Sequence, residues 1–238
     1  MKKSRISRRE WLVSAGCLSL SALTGCMRQM PRSDSISVEP YPSNAAEALL
    51  RLKTGNQRFM EEKSIHTHET ASWRSLLVEG QKPFATVLGC SDSRVPPEMV
   101  FDVGFGDIFT IRLAGNIIAE DVIGSMQYAV AHLHTPIIIV LGHEGCGAVS
   151  ATVEEMLGKT EELKHIGALI ALIKPGLMQL NLQLERKALL HAAVEANVRW
   201  SMRQLSALPE AKRALSKKLI TLVGAVYELD TGKVRFLN

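Results

Sequence analysis

Two short segments of the chain bring together side chains that bind metal ions. One reads CSDSR and contains Cys90, Asp92 and Arg94, and the other reads GHEGCGA and contains His143 and Cys146. Two thiolates and an imidazole form a ligand set that suits zinc, with Asp92 as a fourth ligand or a partner of a bound water. Because three protein ligands leave one coordination position open, the set predicts a catalytic rather than a structural zinc site.

Each metal-binding segment directly follows a run of residues that favours a β-strand. Residues 84–89 lead to Cys90, and the continuous apolar run 136–142, typical of a strand buried on both faces, leads to His143. Two further β-prone runs span 108–112 and 219–227. Since the carboxyl ends of parallel strands meet at one edge of a sheet, we expect both segments to face the same crevice.

Helical segments separate these strands. The first begins at the N-cap residue Asn44 and keeps apolar residues at helical spacing through Met60. Others are predicted over 120–134, over 148–173 with a break at Pro175-Gly176, and over 184–205, before a turn at 230–233 and a last short strand ending near Phe236. The alternation predicts an α/β fold, with a mostly parallel central sheet flanked by helices in a single domain over residues 44–238.

The beginning of the chain reads as an export signal. A cationic stretch precedes an apolar run that is shorter than the about 20 residues a membrane-spanning helix needs. The motif SRREWL resembles a twin-arginine signal, and LTGC, which ends at Cys26, resembles a bacterial lipobox. We therefore predict a signal peptide over 1–25, lipidation of Cys26 and a polar linker over 26–43, in an exported periplasmic or cell-envelope lipoprotein. A plain basic signal sequence and a cleavage region with an incidental cysteine are the alternatives.

Composition and charge exclude several other classes of protein. Of the 238 residues, 46% are hydrophobic and 22% are charged, which argues against a disordered chain, a collagen-like repeat or a multispanning membrane protein. The formal net charge of +4 arises within residues 1–25, where Lys2, Lys3, Arg5, Arg8 and Arg9 oppose Glu10, so the rest of the chain is neutral. We therefore expect no nucleic-acid partner, and membrane contact only through the lipid anchor.

The two metal-binding segments together resemble the beta-class carbonic anhydrases. Three further segments, in the family's order, are similar to its sequence: GNQRF at 55–59, GFGDIFTIRLAGN at 104–116 and SMQYA at 125–129. The resemblance covers about residues 44–238. It implies the fold of that family and its activity, the reversible hydration of carbon dioxide to bicarbonate and a proton by a zinc-bound hydroxide.

The resemblance also implies a role for each residue of the site. It places a zinc ion on Cys90, His143 and Cys146 and sets Asp92 and Arg94 beside the metal as a dyad. It further makes Gln81 a hydrogen-bond partner of substrate, and places Phe109 and Tyr128 in an apolar pocket near the dimer interface. The family forms homodimers, which many members pair into homotetramers, and we expect one of these states here.

The dyad decides whether the zinc site is open. The resemblance implies that Asp92 accepts the hydrogen of the hydroxide, while Arg94 keeps Asp92 charged and away from the metal. The family also contains a bicarbonate-inhibited form in which the aspartate occupies the fourth zinc position. A tryptophan three residues before the first cysteine marks that form, and this chain has Val87 there. The sequence thus favours the open form.

Three alternatives follow from the same residues. In an oxidising periplasm, Cys90 and Cys146 pair as a structural disulfide instead of binding metal. A second alternative is a non-catalytic lipoprotein that binds zinc or bicarbonate. A third is a related zinc hydrolase acting on another heterocumulene such as carbon disulfide.

Overall fold

The fold is built on a five-stranded sheet within residues 41–160 and 162–237, which the computed structural model describes. Its strands are β1 (Ala85–Gly89), β2 (Ile108–Arg112), β3 (Ile137–His143), β4 (Thr221–Tyr227) and β5 (Val234–Phe236). They lie in the order β2-β1-β3-β4-β5, and all neighbours are parallel except β4 and β5. The predicted α/β fold with a mostly parallel sheet is confirmed.

Helices cover both faces of this sheet. They are α1 (Ala45–Met60), α2 (Ala71–Leu76), α3 (Pro97–Val100), α4 (Glu120–Ala131), α5 (Gly147–Met156), α6 (Lys164–Leu177), α7 (Arg186–Ala207) and α8 (Pro209–Ser216). The first begins where predicted, because the side chain of Asn44 accepts hydrogen bonds from the N–H groups of Ala46 and Glu47. Helices α1 and α3 pack on one face, and α4 to α8 pack on the other.

The central strand β3 divides the core between these two faces. Ile138 and Val140 pack towards α4 to α7, whereas Ile139 and Leu141 pack towards α1 and α3, and all four are buried. A strand with apolar neighbours on both sides requires apolar residues at every position, which explains the continuous run in the sequence. Polar chemistry is therefore confined to the end of the strand.

The helical region after β3 differs from the prediction. The helix expected over 148–173 is two helices, because α5 ends at Met156 and α6 begins only at Lys164. Between them the chain turns at Gly158, whose φ of 69° lies in the left-handed region that favours glycine. The short helices α2 and α8 were not predicted.

The break predicted at Pro175-Gly176 is wrong, since α6 continues through both residues to Leu177. Pro175 lies on the exposed side of the last turn, where water can satisfy the carbonyl that loses its N–H partner. Gly176 allows a close approach of α6 to α7, because a Cβ atom there would lie 2.5 Å from Cβ of Trp200. The dipeptide thus serves helix packing rather than chain reversal.

The predicted export signal lies outside the described residues, as do Cys26 and the linker up to residue 40. Of the helices in the part of the chain that the structure describes, none is long and apolar enough to cross a membrane. The signal peptide, the lipidation and the domain boundary near residue 44 stay predictions.

Candidate metal centre

The ends of β1 and β3 bring three metal-binding side chains to one point. Cys90 follows β1, His143 is the last residue of β3, and Cys146 directly precedes α5. Their ligand atoms all lie within 4.8 Å of one another, and all three residues are buried. The two Sγ atoms are 3.9 Å apart, close to the roughly 3.8 Å that two thiolates span on a tetrahedral zinc with Zn–S bonds of about 2.3 Å.

His143 presents a free lone pair to this point. Its Nδ1 donates a hydrogen bond to the backbone oxygen of Glu144 at 2.8 Å, which is the tautomer whose Nε2 offers a lone pair to a metal ion. Among the described residues Nε2 has no hydrogen-bond partner, although it is buried. A buried acceptor without a partner costs stability, so the arrangement is explained by a metal ion on Nε2. The residues present fit zinc.

The two cysteines carry free thiols, and the pKa of one of these thiols is lowered. Hydrogen bonding to Cys146 is the largest cause that lowers the pKa of Cys90 to about 4, and His143 and the backbone N–H groups of Asp92 and Gly115 act in the same direction. The shared bond and burial raise the pKa of Cys146. Their sulfur atoms are also much farther apart than the about 2.05 Å of a disulfide bond. In this structure the two cysteines are therefore free thiols and are not joined by a disulfide bond.

Asp92 and Arg94 form a bidentate pair beside the three ligands. Arg94 donates from Nε to Oδ1 at 2.9 Å and from Nη2 to Oδ2 at 2.7 Å, and its Nη2 also donates to the backbone oxygen of Gly145. These bonds are the main reason that the pKa of Asp92 lies well below its usual range, so its carboxylate is charged at neutral pH. Oδ2 lies 3.9 Å from Nε2 of His143. This Arg94–Asp92 contact is the one that the resemblance assigns to the open form.

Arg112, which belongs to the family-like segment 104–116, fixes the backbone of the CSDSR segment, a role that the resemblance did not assign. It ends β2 and pairs in register with Gly89, the residue before Cys90. Its Nε donates to the backbone oxygen of Cys90 at 2.9 Å, and its Nη2 donates to that of Asp92 at 2.6 Å. One guanidinium therefore anchors both a metal ligand and the dyad acid. Only the strand pairing, which the sequence leaves open, reveals this contact.

The three predicted substrate residues are not brought to the metal centre within one chain. Gln81 is exposed in the loop before β1, whereas Cys90 follows the far end of that strand, which spans about 13 Å. Phe109 lies near the amino end of β2 and contacts Tyr128 of α4, with ring centroids 6.2 Å apart. Tyr128 is 47% exposed. These residues lie towards the end of the sheet at which the parallel strands begin, opposite to the end that carries the metal centre.

Comparisons with known proteins identify the family. A family model described as carbonic anhydrase matches residues 85–234. Carbonic anhydrase 2 of Mycobacterium tuberculosis is 34% identical over 195 residues, which cover 80% of this chain and 92% of that protein. The carbonic anhydrase of Mycolicibacterium smegmatis is 35% identical over 196 residues, covering 81% and 93%. The chain belongs to the carbonic anhydrase family.

Solved structures place it in the beta class. The beta-carbonic anhydrase CcaA has a TM-score of 0.65 at 28% identity, and the match covers 80% of this chain and 95% of that one. The tetrameric beta-carbonic anhydrases of Sordaria macrospora share the fold, with a TM-score of 0.63 at 22% identity over 78% of this chain and 94% of theirs. The resemblance inferred from five sequence segments is confirmed.

Proposed function

We propose that the protein is a zinc-dependent carbonic anhydrase that interconverts carbon dioxide and bicarbonate. The observation that carries the proposal is the convergence of Cys90, His143 and Cys146, with a buried, unpartnered Nε2 among the described residues, beside an intact Asp92–Arg94 pair. Membership of the carbonic anhydrase family supports the same activity.

In the proposed reaction the residues of the chain hold the zinc ion and orient the reacting groups. Zinc, when bound by the three ligands, lowers the pKa of its water from 15.7 to about 7 and so supplies a nucleophile at neutral pH. Asp92 stays ionised, and its carboxylate would accept a hydrogen bond from the nucleophile. This bond would turn the lone pair of the nucleophile towards carbon dioxide. Arg94 keeps that carboxylate charged and in place, and Arg112 fixes the backbone that carries it.

One pair of measurements separates the proposed function from its alternatives. Stopped-flow carbon dioxide hydration and carbon disulfide hydrolysis are measured on the same zinc-loaded preparation. We expect rapid hydration of carbon dioxide, in preference to hydrolysis of carbon disulfide. A preparation that binds zinc but accelerates neither reaction is the non-catalytic binding protein, and preferential carbon disulfide hydrolysis identifies the other hydrolase.

We further propose that the active enzyme is a homo-oligomer, a dimer or a tetramer. The resemblance assigns Gln81, Phe109 and Tyr128 to the substrate pocket, yet one chain holds them apart from its own metal centre. A second copy supplies them if their surface packs against its metal centre. The exposed ring of Tyr128 and the tetrameric state of the Sordaria macrospora enzymes support this arrangement.

Replacing Tyr128 with arginine is expected to dissociate this oligomer. A charge in the middle of an apolar contact must be desolvated without a partner, which strongly disfavours association. Size-exclusion chromatography with light scattering should show monomers, and hydration activity should fall with them. Tyr128→Phe keeps the ring and is the matched control, expected to stay oligomeric. A Tyr128→Arg protein that keeps both assembly and activity contradicts this placement of the interface.

We also propose that residues 1–25 direct export and that Cys26 is lipidated. The twin-arginine motif, the LTGC sequence and the confinement of the net positive charge to this segment support the proposal. The twin-arginine route carries folded proteins, so zinc loaded in the cytoplasm would protect both ligand thiolates from oxidation in the periplasm. A metal-free, disulfide-bonded protein isolated from the periplasm would refute this order of events.

Changing Cys26 to serine should abolish lipidation. A thioether-linked acyl anchor needs the sulfur atom, and without acyl chains the protein has no means of stable membrane attachment. We expect loss of metabolic labelling by a palmitate analogue and a shift of the protein from the membrane to the soluble fraction. Cys17→Ser, within the same signal segment, should change neither. Undiminished labelling of Cys26→Ser would show that Cys26 is not the acceptor.

A further inference from the structure

We propose that Asn197 of α7 is a positioning residue that tunes the metal centre through the backbone N–H of Gly115. The inference rests on the proposed zinc site and adds a helix that the sequence motifs do not include. Its physical basis is two hydrogen bonds that involve Gly115. One reaches this residue from the middle of α7, and the other joins it to the sulfur of a metal ligand.

One of these two bonds reaches the sulfur. The N–H of Gly115 donates to Sγ of Cys90 at 3.3 Å. The second bond acts on the other side of the same residue, because Nδ2 of Asn197 donates to the backbone oxygen of Gly115 at 2.8 Å. Asn197 is 1% exposed, so solvent does not compete for either bond.

The oxygen atom of the Asn197 side-chain amide indicates that packing is not the role of this residue. Its Oδ1 is buried and has no hydrogen-bond partner among the described residues. Because a buried unpartnered oxygen costs stability, an apolar side chain would suit this position better if packing were its only purpose. The donated bond to Gly115 is therefore what the asparagine contributes.

The turn that carries Gly115 needs such a restraint. Gly115 has a φ of 69° and Asn116 a φ of 42°, so two consecutive residues occupy the left-handed region. A Cβ atom on Gly115 would lie 2.7 Å from Cδ1 of Ile173, which confines the turn from α6. One helical turn after Asn197, Oγ of Ser201 donates to the backbone oxygen of Asn116 at 3.0 Å. Of these two contacts from α7, only the bond of Asn197 acts on Gly115, the residue whose N–H donates to Cys90.

This N–H controls how strongly Cys90 donates charge to a bound metal ion. A hydrogen bond to a thiolate withdraws electron density from the sulfur, and outer hydrogen bonds of this kind orient ligands and tune metal sites. Loosening the turn should weaken the bond, which returns electron density to the sulfur and alters the metal–sulfur charge transfer. It should also lower the metal affinity, because Cys90 is then less firmly oriented towards the metal ion. Neither effect requires that Asn197 touch the metal or the substrate.

The test uses the full-length protein with Asn197→Leu and, as a matched control, Ser201→Ala. Zinc affinity is measured by competition with a chromophoric chelator, and the sulfur-to-cobalt charge-transfer band is recorded after cobalt substitution. We expect Asn197→Leu to lose about tenfold in zinc affinity and to shift the band. Ser201→Ala removes a bond from the same helix to the same turn, but not the one on Gly115, and should keep the wild-type band.

A wild-type band and affinity in folded Asn197→Leu would overturn the inference, as would equal changes in both variants. Should the leucine variant fail to fold, Asn197→Ser is used instead. It retains a shorter donor and should bind zinc more weakly than the wild type, while a wild-type affinity again overturns the inference. Neither readout involves carbon dioxide. A responsive cobalt band in a protein without hydration activity therefore supports the role of Asn197 and rejects the proposed function, and an active enzyme with an unresponsive band does the reverse.

Discussion

Replacing His143 with glutamine should abolish both zinc binding and carbon dioxide hydration. The imidazole is fully buried, its Nδ1 is fixed by Glu144, and its Nε2 points at the two thiols without a hydrogen-bond partner among the described residues. A glutamine amide is a poor zinc ligand. With two thiolates alone, the chain is not expected to retain zinc, and hydration should fall to the uncatalysed rate.

Zinc content by mass spectrometry and stopped-flow hydration measure this outcome together, and circular dichroism checks that the fold persists. His165→Gln is the control, because His165 is exposed on α6, away from the three ligands. It should keep full zinc content and activity. A His143→Gln protein with one tightly held zinc per chain would contradict the assigned ligand set.

Replacing Arg94 with alanine should abolish turnover while zinc stays bound. Arg94 contacts Asp92 and the backbone of Gly145 but none of the three ligand atoms. Without its two side-chain donors, the carboxylate of Asp92, whose Oδ2 lies 3.9 Å from Nε2 of His143, would be free to bind a zinc ion held by the three ligands. In this variant we therefore expect the zinc content to stay normal while the activity is lost.

The conservative variant sharpens the test of Arg94. Arg94→Lys keeps a positive charge but not the planar, bidentate contact, so it should restore only part of the activity. Arg213→Ala removes an exposed arginine that pairs with Glu210 at 3.6 Å and should leave turnover unchanged. Loss of zinc in Arg94→Ala, or full activity, would show that Arg94 does not hold the site open.

The sheet and the metal ligands could be predicted because each depends on a local pattern. A parallel strand buried on both faces reads as an apolar run, so β3 was predicted within one residue of each end, and the β-prone run at 108–112 has the observed bounds of β2. The ligands follow from where such strands end. Cys90 and His143 therefore meet although 53 positions separate them in the numbering.

Features that arise from packing between distant segments were not predicted. Pro175-Gly176 reads locally as a break, but Gly176 is needed where α6 meets Trp200 of α7. The anchoring by Arg112 and by Asn197 depends on strand register and on a helix that follows much later in the chain. Gln81 and Tyr128 illustrate a further limit, since a role for them at the substrate pocket requires a second copy of the chain.

A zinc titration of the metal-free protein, followed by carbon dioxide hydration, tests the central claim most directly. The ligand set of Cys90, His143 and Cys146 predicts that activity rises in proportion to added zinc and reaches its plateau at one zinc per chain. Full activity before zinc is added, or a zinc-saturated protein that does not accelerate hydration, would contradict it.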